Sequence, residues 1–210
     1  MKILFIGNSY TFYNDMPKLL EALLIENGYD ASVDSVTKGG RKLYANLEDG
    51  DEYNAQILEL VSKNSYDVLF LQEQSYFPIV DYDKFEAAVA SLKKIVGAKR
   101  TLLYATWGRK TGCPLLNELK LSSTEMTNAL ASAYAKAAES AECELSEVGL
   151  AFASLCDELE LYAPDLSHPS YIGSAVAAIV HYRSLMSVLP EKLSSLGLDS
   201  ETLGAVLSVL

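Results

Sequence analysis

Lys2-Ile3-Leu4-Phe5-Ile6-Gly7-Asn8-Ser9 is the stretch that decides the fold. Its apolar core is continuous rather than alternating, as expected of a strand covered on both faces in a parallel sheet. Gly7-Asn8-Ser9 then breaks the run and leaves a hydroxyl at the strand's carboxyl end. Just beyond, Asn14 and Asp15 offer N-cap oxygens and Pro17 suits a first helical turn. Leu19, Leu20, Leu23 and Leu24 make one helical face, closed by Gly28.

The same alternation runs to the other terminus. Residues 31–36, 67–71, 100–106 and, more weakly, 143–148 have strand character, 67–71 (Asp-Val-Leu-Phe-Leu) being the most apolar. Helical periodicity covers 51–64, 83–96 and 171–189. Ser122 and Glu125 have capping-box spacing ahead of a helix over 123–141, and Asp199 can cap a last one. Five strands alternating with helices predict a single α/β domain over 1–210: a three-layer α/β/α sandwich with a parallel sheet in the order 2-1-3-4-5. In that order the switch point lies beside the first strand, so Ser9 arrives where such folds bind ligands. Gly39-Gly40 and Gln72-Glu73-Gln74 end the second and third strands and flank the same crevice.

Composition narrows the function. The 210 residues are 50% apolar, enough for a full core, and 28 acidic against 17 basic residues leave a formal charge of −11. Nucleic acid and anionic membrane are thereby disfavoured as partners, and nothing in the composition indicates a homo-oligomer. No apolar run reaches the roughly 20 residues that span a bilayer, and Met1-Lys2 opens no signal peptide. Cys113, Cys143 and Cys156 form no pair motif and suit reduced thiols, so a cytoplasmic location is expected. Two histidines without a clustered ligand set predict no metal, and the absence of phosphate-cradling glycine motifs predicts no nucleotide cofactor.

A base for Ser9 must come from His168 or His181. His168 stands in the loop Pro164-Asp165-Leu166-Ser167-His168-Pro169, three residues after Asp165, whereas His181 sits mid-helix among apolar residues and is expected to pack. Ser9, His168 and Asp165 supply the hydroxyl, imidazole and carboxylate of a nucleophilic hydrolase. Donors for a developing oxyanion are the Ser9 N–H, Gly39 or Gly40, and the Gln74 side-chain amide, although each alone equally suits a plain turn or solvated loop. Asn8, Tyr10, Glu73 and Trp107 are expected beside the substrate. Trp107 can stack on a sugar ring or pack, and Glu73 is an alternative orienter of His168 or an exposed carboxylate. Tyr13, Tyr76 and Phe77 add an aromatic rim, and the loop from Trp107-Gly108-Arg109-Lys110 to about Leu121 can roof the crevice.

Taken together, Gly7-Asn8-Ser9, Gly39-Gly40, Gln72-Glu73-Gln74-Ser75 and Asp165-x-x-His168 resemble the four blocks of the SGNH (GDSL-like) hydrolases, nearly end to end. The resemblance implies an α/β/α sandwich and metal-independent hydrolysis of esters. It makes Ser9 the nucleophile, His168 the base, Asp165 its orienter, and Ser9, the second-block glycine and the third-block amide the oxyanion hole. Two positions depart from the pattern: Asn8 replaces the first-block aspartate, and Gln72-Glu73-Gln74-Ser75 replaces Gly-x-Asn-Asp, as in a bacterial branch with a Gln-Glu-Gln-Ser block. The expected function is a serine esterase removing small acyl groups, acetyl foremost, from a carbohydrate or similar polar metabolite through an acyl-enzyme. The alternatives are a thioesterase or lysophospholipase on longer chains, and a non-catalytic module binding a small ligand in the same crevice.

Overall fold

The computed structural model describes residues 1–210 and places a five-stranded sheet at its centre. Strands β1 (Lys2–Gly7), β2 (Ser32–Thr37), β3 (Val68–Leu71), β4 (Arg100–Tyr104) and β5 (Glu144–Ser146) lie in the order β2-β1-β3-β4-β5. Every neighbouring pair is parallel, as crossover connections require. The doubly wound order expected from the sequence is the one observed.

Strand alternation divides the interior in two. Ile3 and Phe5, with Val68, Phe70, Leu102 and Tyr104, pack against the helices Met16–Glu26, Val148–Leu155 and Tyr171–Met186. Leu4 and Ile6, with Leu69, Leu71 and Leu103, pack against Glu52–Lys63, Tyr82–Val96 and Ser123–Ala141. Each buried side chain of this size contributes roughly 1.5–3 kcal/mol relative to exposure, so the two apolar faces hold the strand ends rigidly. Phe5 and Phe70, aligned on adjacent strands, stack with centroids 4.5 Å apart.

His181 belongs to this core. Its ring lies 4.3 Å from that of Tyr104, and Nδ1 is 2.7 Å from Ser146 Oγ, while Nε2 has no partner. Burial pushes its pKa down to about 3, so it stays neutral and far from base chemistry.

Local signals place most helix starts. Asp51 Oδ1 accepts from Tyr53 N and Asn54 N, Asp199 caps Ser200–Val209, and Ser122 and Glu125 form the reciprocal capping box. Three expectations shift. The last long helix ends at Met186 because Ser187 turns left-handed at φ 60°. β4 stops at Tyr104 and β5 spans only Glu144–Ser146, after which the chain enters the unanticipated helix Val148–Leu155. Gly149 there must be glycine, since a Cβ would lie 2.2 Å from the Thr106 carbonyl oxygen. Finally, Asn14 and Asp15 do not cap with their side chains; both adopt left-handed φ angles of 53° and 55°. No helix is long and apolar enough to cross a membrane.

Candidate active site

The carboxyl end of β1 is built to hold one hydroxyl in place. Gly7 is needed because a Cβ would lie 2.5 Å from Thr11 Oγ1 and 2.8 Å from Gln72 Oε1. Gln72, fully buried, accepts from Asn8 N at 2.9 Å and from Thr11 Oγ1 at 2.9 Å. Asn8 then caps the one-turn helix Ser9–Phe12, its Oδ1 accepting from Tyr10 N at 3.1 Å. Ser9 therefore opens a helical turn whose backbone is fixed on both sides.

The second component arrives from 159 residues away. The loop before Tyr171 is pinned by an isolated antiparallel bridge between Tyr162 and Pro169, by Ala163 N donating to His168 O at 2.8 Å, and by Trp107 Nε1 donating to Ser167 O at 3.0 Å. Leu166 takes a left-handed φ of 62° within it. Asp165 Oδ1 accepts from the N–H groups of Ser167 and His168, at 3.0 and 2.9 Å, and Oδ2 lies 2.5 Å from His168 Nδ1. His168 Nε2 lies 2.8 Å from Ser9 Oγ. Hydroxyl, imidazole and carboxylate thus form one unbroken chain. Partial burial raises the Asp165 carboxyl, but the hydrogen bonds from the His168 ring and the two N–H groups outweigh it and leave its pKa below the ordinary carboxylate value.

Two residues hold this geometry that sequence reasoning did not assign to it. Asn14 Nδ2 donates to Pro169 O, Ser170 O and Ser174 Oγ at 3.2, 3.0 and 2.9 Å, clasping the serine loop to the histidine loop. Tyr13 stacks on the His168 ring at 4.2 Å, with Tyr10 edge-on at 5.5 Å. The left-handed Asn14-Asp15 step, unusual for adjacent non-glycine residues, is what turns the Asn14 amide toward that loop.

The chain opens into a cavity of about 350 Å³ lined by Ser9 and His168, by Gly39 and Gly40, and by Gln74, Ser75 and Arg109 among others. Both candidate glycines therefore reach the site, and Gly40 has a left-handed φ of 69° that favours glycine.

A protein of Slackia heliotrinireducens assigned to the SGNH hydrolases superposes with a TM-score of 0.79 at 33% identity, covering 88% of this chain and 98% of that one. The chain belongs to the SGNH hydrolases. A DUF4886 family protein from Bacteroides uniformis shares the fold at 18% identity and a TM-score of 0.76, covering 99% of this chain and 92% of the other. So does an acetyl xylan esterase, AlAXEase, at 19% and 0.64, covering 89% of this chain and all of that chain. No family model and no curated protein matches the sequence.

Two expected substrate contacts, Trp107 and Glu73, are corrected within this SGNH site. Trp107 is fully buried, sandwiched between Tyr10 at 4.6 Å and Phe152 at 4.0 Å, so it supports the histidine loop and cannot stack on a sugar. Asn8 does line the cavity, but it is only 2% exposed and uses both ends of its amide on the protein: Oδ1 as the cap, Nδ2 donating to Arg41 O at 3.0 Å. That bond also explains the departure from aspartate, since a carboxylate would face the Arg41 carbonyl oxygen without a proton between them. Glu73 is fully buried below the pocket, accepting from Leu43 N with both oxygens at 3.1 Å and from Gln74 N at 2.5 Å. It neither lines the cavity nor orients His168; it fastens the Gly39–Leu47 segment to the Gln74 loop. Tyr10 lines the cavity but is only 3% exposed, its hydroxyl 3.1 Å from Ser167 Oγ.

Burial pushes the Glu73 carboxyl up to about 7, against the opposing pull of the Gln74 and Leu43 N–H groups and Lys42. A carboxyl raised on folding stabilises the folded state fully below its unfolded pKa near 4.5, and that contribution is lost as pH climbs through about 7. The unfolding free energy from urea titrations should accordingly fall between about pH 4.5 and pH 8, by up to roughly 3 kcal/mol. Glu73→Gln should flatten that slope; an unchanged slope would remove Glu73 as its source.

Proposed function

We propose that this SGNH hydrolase is a serine esterase acting on small acyl esters, acetyl foremost, of a carbohydrate or similar polar metabolite. Ser9 Oγ attacks the ester carbonyl while His168 Nε2 takes its proton, and Asp165 holds the ring by Nδ1 and stabilises the imidazolium. The Ser9 N–H, the Gly40 (or Gly39) N–H and the Gln74 amide receive the oxyanion, each donor worth about 3 kcal/mol in the transition state. Gln74 Nε2 rests only on a 3.3 Å contact to Ser75 Oγ, a weak tie that leaves it available. His168 returns the proton to the leaving alcohol, and water then repeats the sequence on the acyl-enzyme. No step draws on a metal.

The observation that carries this reading is the Ser9–His168–Asp165 chain opening into a small cavity whose lining includes no Leu, Ile, Val or Phe. Names on the shared fold range from acetyl xylan esterase to lipase/acylhydrolase, so the pocket, not the fold, must choose the substrate. A long acyl chain needs an apolar trough, and this cavity offers only the faces of Tyr10 and Tyr13.

A p-nitrophenyl ester series tests it. Acetate is expected to be the best substrate, with kcat/KM falling about 10-fold or more by octanoate, because added methylenes find no aliphatic trough to fill. A rising profile would transfer the site to the thioesterase or lysophospholipase reading.

A further inference from the structure

Arg109 is the only arginine or lysine in the lining of the catalytic cavity, and it is unneutralised. Its guanidinium has one protein partner, Ser75 Oγ at 2.7 Å from Nη2; Nε is shielded from solvent without an acceptor. No carboxylate lies within ion-pairing distance. The group stacks over the Tyr10 ring at 5.5 Å, which steadies it beside Ser9 without discharging it.

The surroundings repeat the sign. A second groove shares Gly39 and Gly40 with the cavity and adds Lys38, Arg41 and Lys42. Arg41 is paired with Asp51 and stacked on Tyr53, and Lys38 reaches only the exposed Glu52 at 3.9 Å. Lys42 lies over the Phe77 ring at 4.3 Å with no carboxylate in ion-pairing distance, its charge felt only by the buried Glu73. Neither lining contains an aspartate or glutamate, although the chain has 28 acidic residues against 17 basic ones. Asp165, on the far side of His168, is engaged by that ring and two N–H groups. A positive recess in a chain of formal charge −11 is a local reversal, and neither packing nor a hydrogen bond to a serine hydroxyl requires a permanent charge there.

We propose that the natural substrate is an anionic ester, carrying a carboxylate on its acyl or its alcohol portion, and that Arg109 is the specificity-determining residue that receives it. This rests on the esterase reading and narrows its substrate class. A guanidinium fork matches a planar carboxylate, and Lys42 adds attraction from the adjoining groove.

Two matched pairs test the idea and separate the two positions of the charge: 4-acetoxybenzoate against phenyl acetate for the alcohol side, and the mono-4-nitrophenyl ester of succinate against 4-nitrophenyl butyrate for the acyl side. At low ionic strength the anionic member of one pair should show a kcat/KM at least about 10-fold higher than its neutral partner. That advantage should shrink with added salt. Arg109→Gln should abolish the ratio and Arg109→Lys retain part of it, a pattern that a merely structural Arg109 would not give. No advantage in either pair, or a ratio that survives Arg109→Gln, overturns the proposal. Calorimetric binding of 4-acetoxybenzoate to the Ser9→Ala protein, expected to weaken about 10-fold or more on adding Arg109→Gln, reads the same contact without chemistry. If the native protein hydrolyses none of the four esters, the esterase reading fails and this binding measurement still decides the role of Arg109.

Discussion

Ser9→Ala should lower kcat on p-nitrophenyl acetate by about 10⁴-fold or more while leaving the fold intact. The size of the effect follows from what the hydroxyl does alone: no other group in the cavity lies 2.8 Å from the His168 ring. The fold should survive because Ser9 is positioned by others. Gln72 holds the Asn8 and Thr11 groups, and Asn8 caps the turn whether or not residue 9 carries an oxygen. Circular dichroism and urea midpoints close to the native protein, with turnover near background, are the expected pair of readings. Turnover retained within about 10-fold would mean that another nucleophile, or none, carries the chemistry.

His168→Ala is the second large effect, again about 10⁴-fold, and the Ser9→Ala/His168→Ala double variant should be no slower than either single one. Residues that act as a unit lose their contribution together, so additive losses would argue against a shared proton path. Asp165→Asn probes the remaining link. It can keep the backbone bonds to Ser167 and His168 but presents Nδ1 with an amide, removing the charge that stabilises the imidazolium. Its cost should be smaller than that of His168→Ala, on the order of 10²–10⁴-fold, because Asp165 is 47% exposed and water can partly replace it. The loss should appear in kcat more than in KM, since the orienting bond matters when charge develops.

Most of this site could be read before any coordinates because its signals are local. The apolar run Ile3–Ile6 specifies a buried central strand, the Gly7-Asn8-Ser9 break specifies where it ends, and parallel topology then fixes which loops meet Ser9. Caps at Ser122 and Asp199 are equally local and fall where the sequence places them. The helix Val148–Leu155 was illegible because Val-Gly-Leu-Ala-Phe-Ala-Ser-Leu is apolar almost throughout and so carries no period to separate helix from strand.

Long-range partnerships were illegible for a different reason. Glu73 has the composition of a surface loop, yet its acceptors are used by an N–H 30 residues earlier, and only folding reveals that burial is compensated. Asn14 looked like a helix cap because Pro17 follows it. Its amide instead finds three acceptors 155 to 160 residues away. Trp107 offered an aromatic face to an unknown neighbour, and the neighbours proved to be Tyr10 and Phe152. Residue type told what these side chains can bond; it could not tell which distant group would be there.

The most direct test of the account is labelling with a fluorophosphonate, which bonds covalently to a serine only when a neighbouring base activates it. Mass spectrometry of the labelled protein should locate one adduct, on Ser9, and the His168→Ala protein should label far more slowly. A protein that stays unlabelled, or that gains its adduct at another residue, would contradict the account at its root.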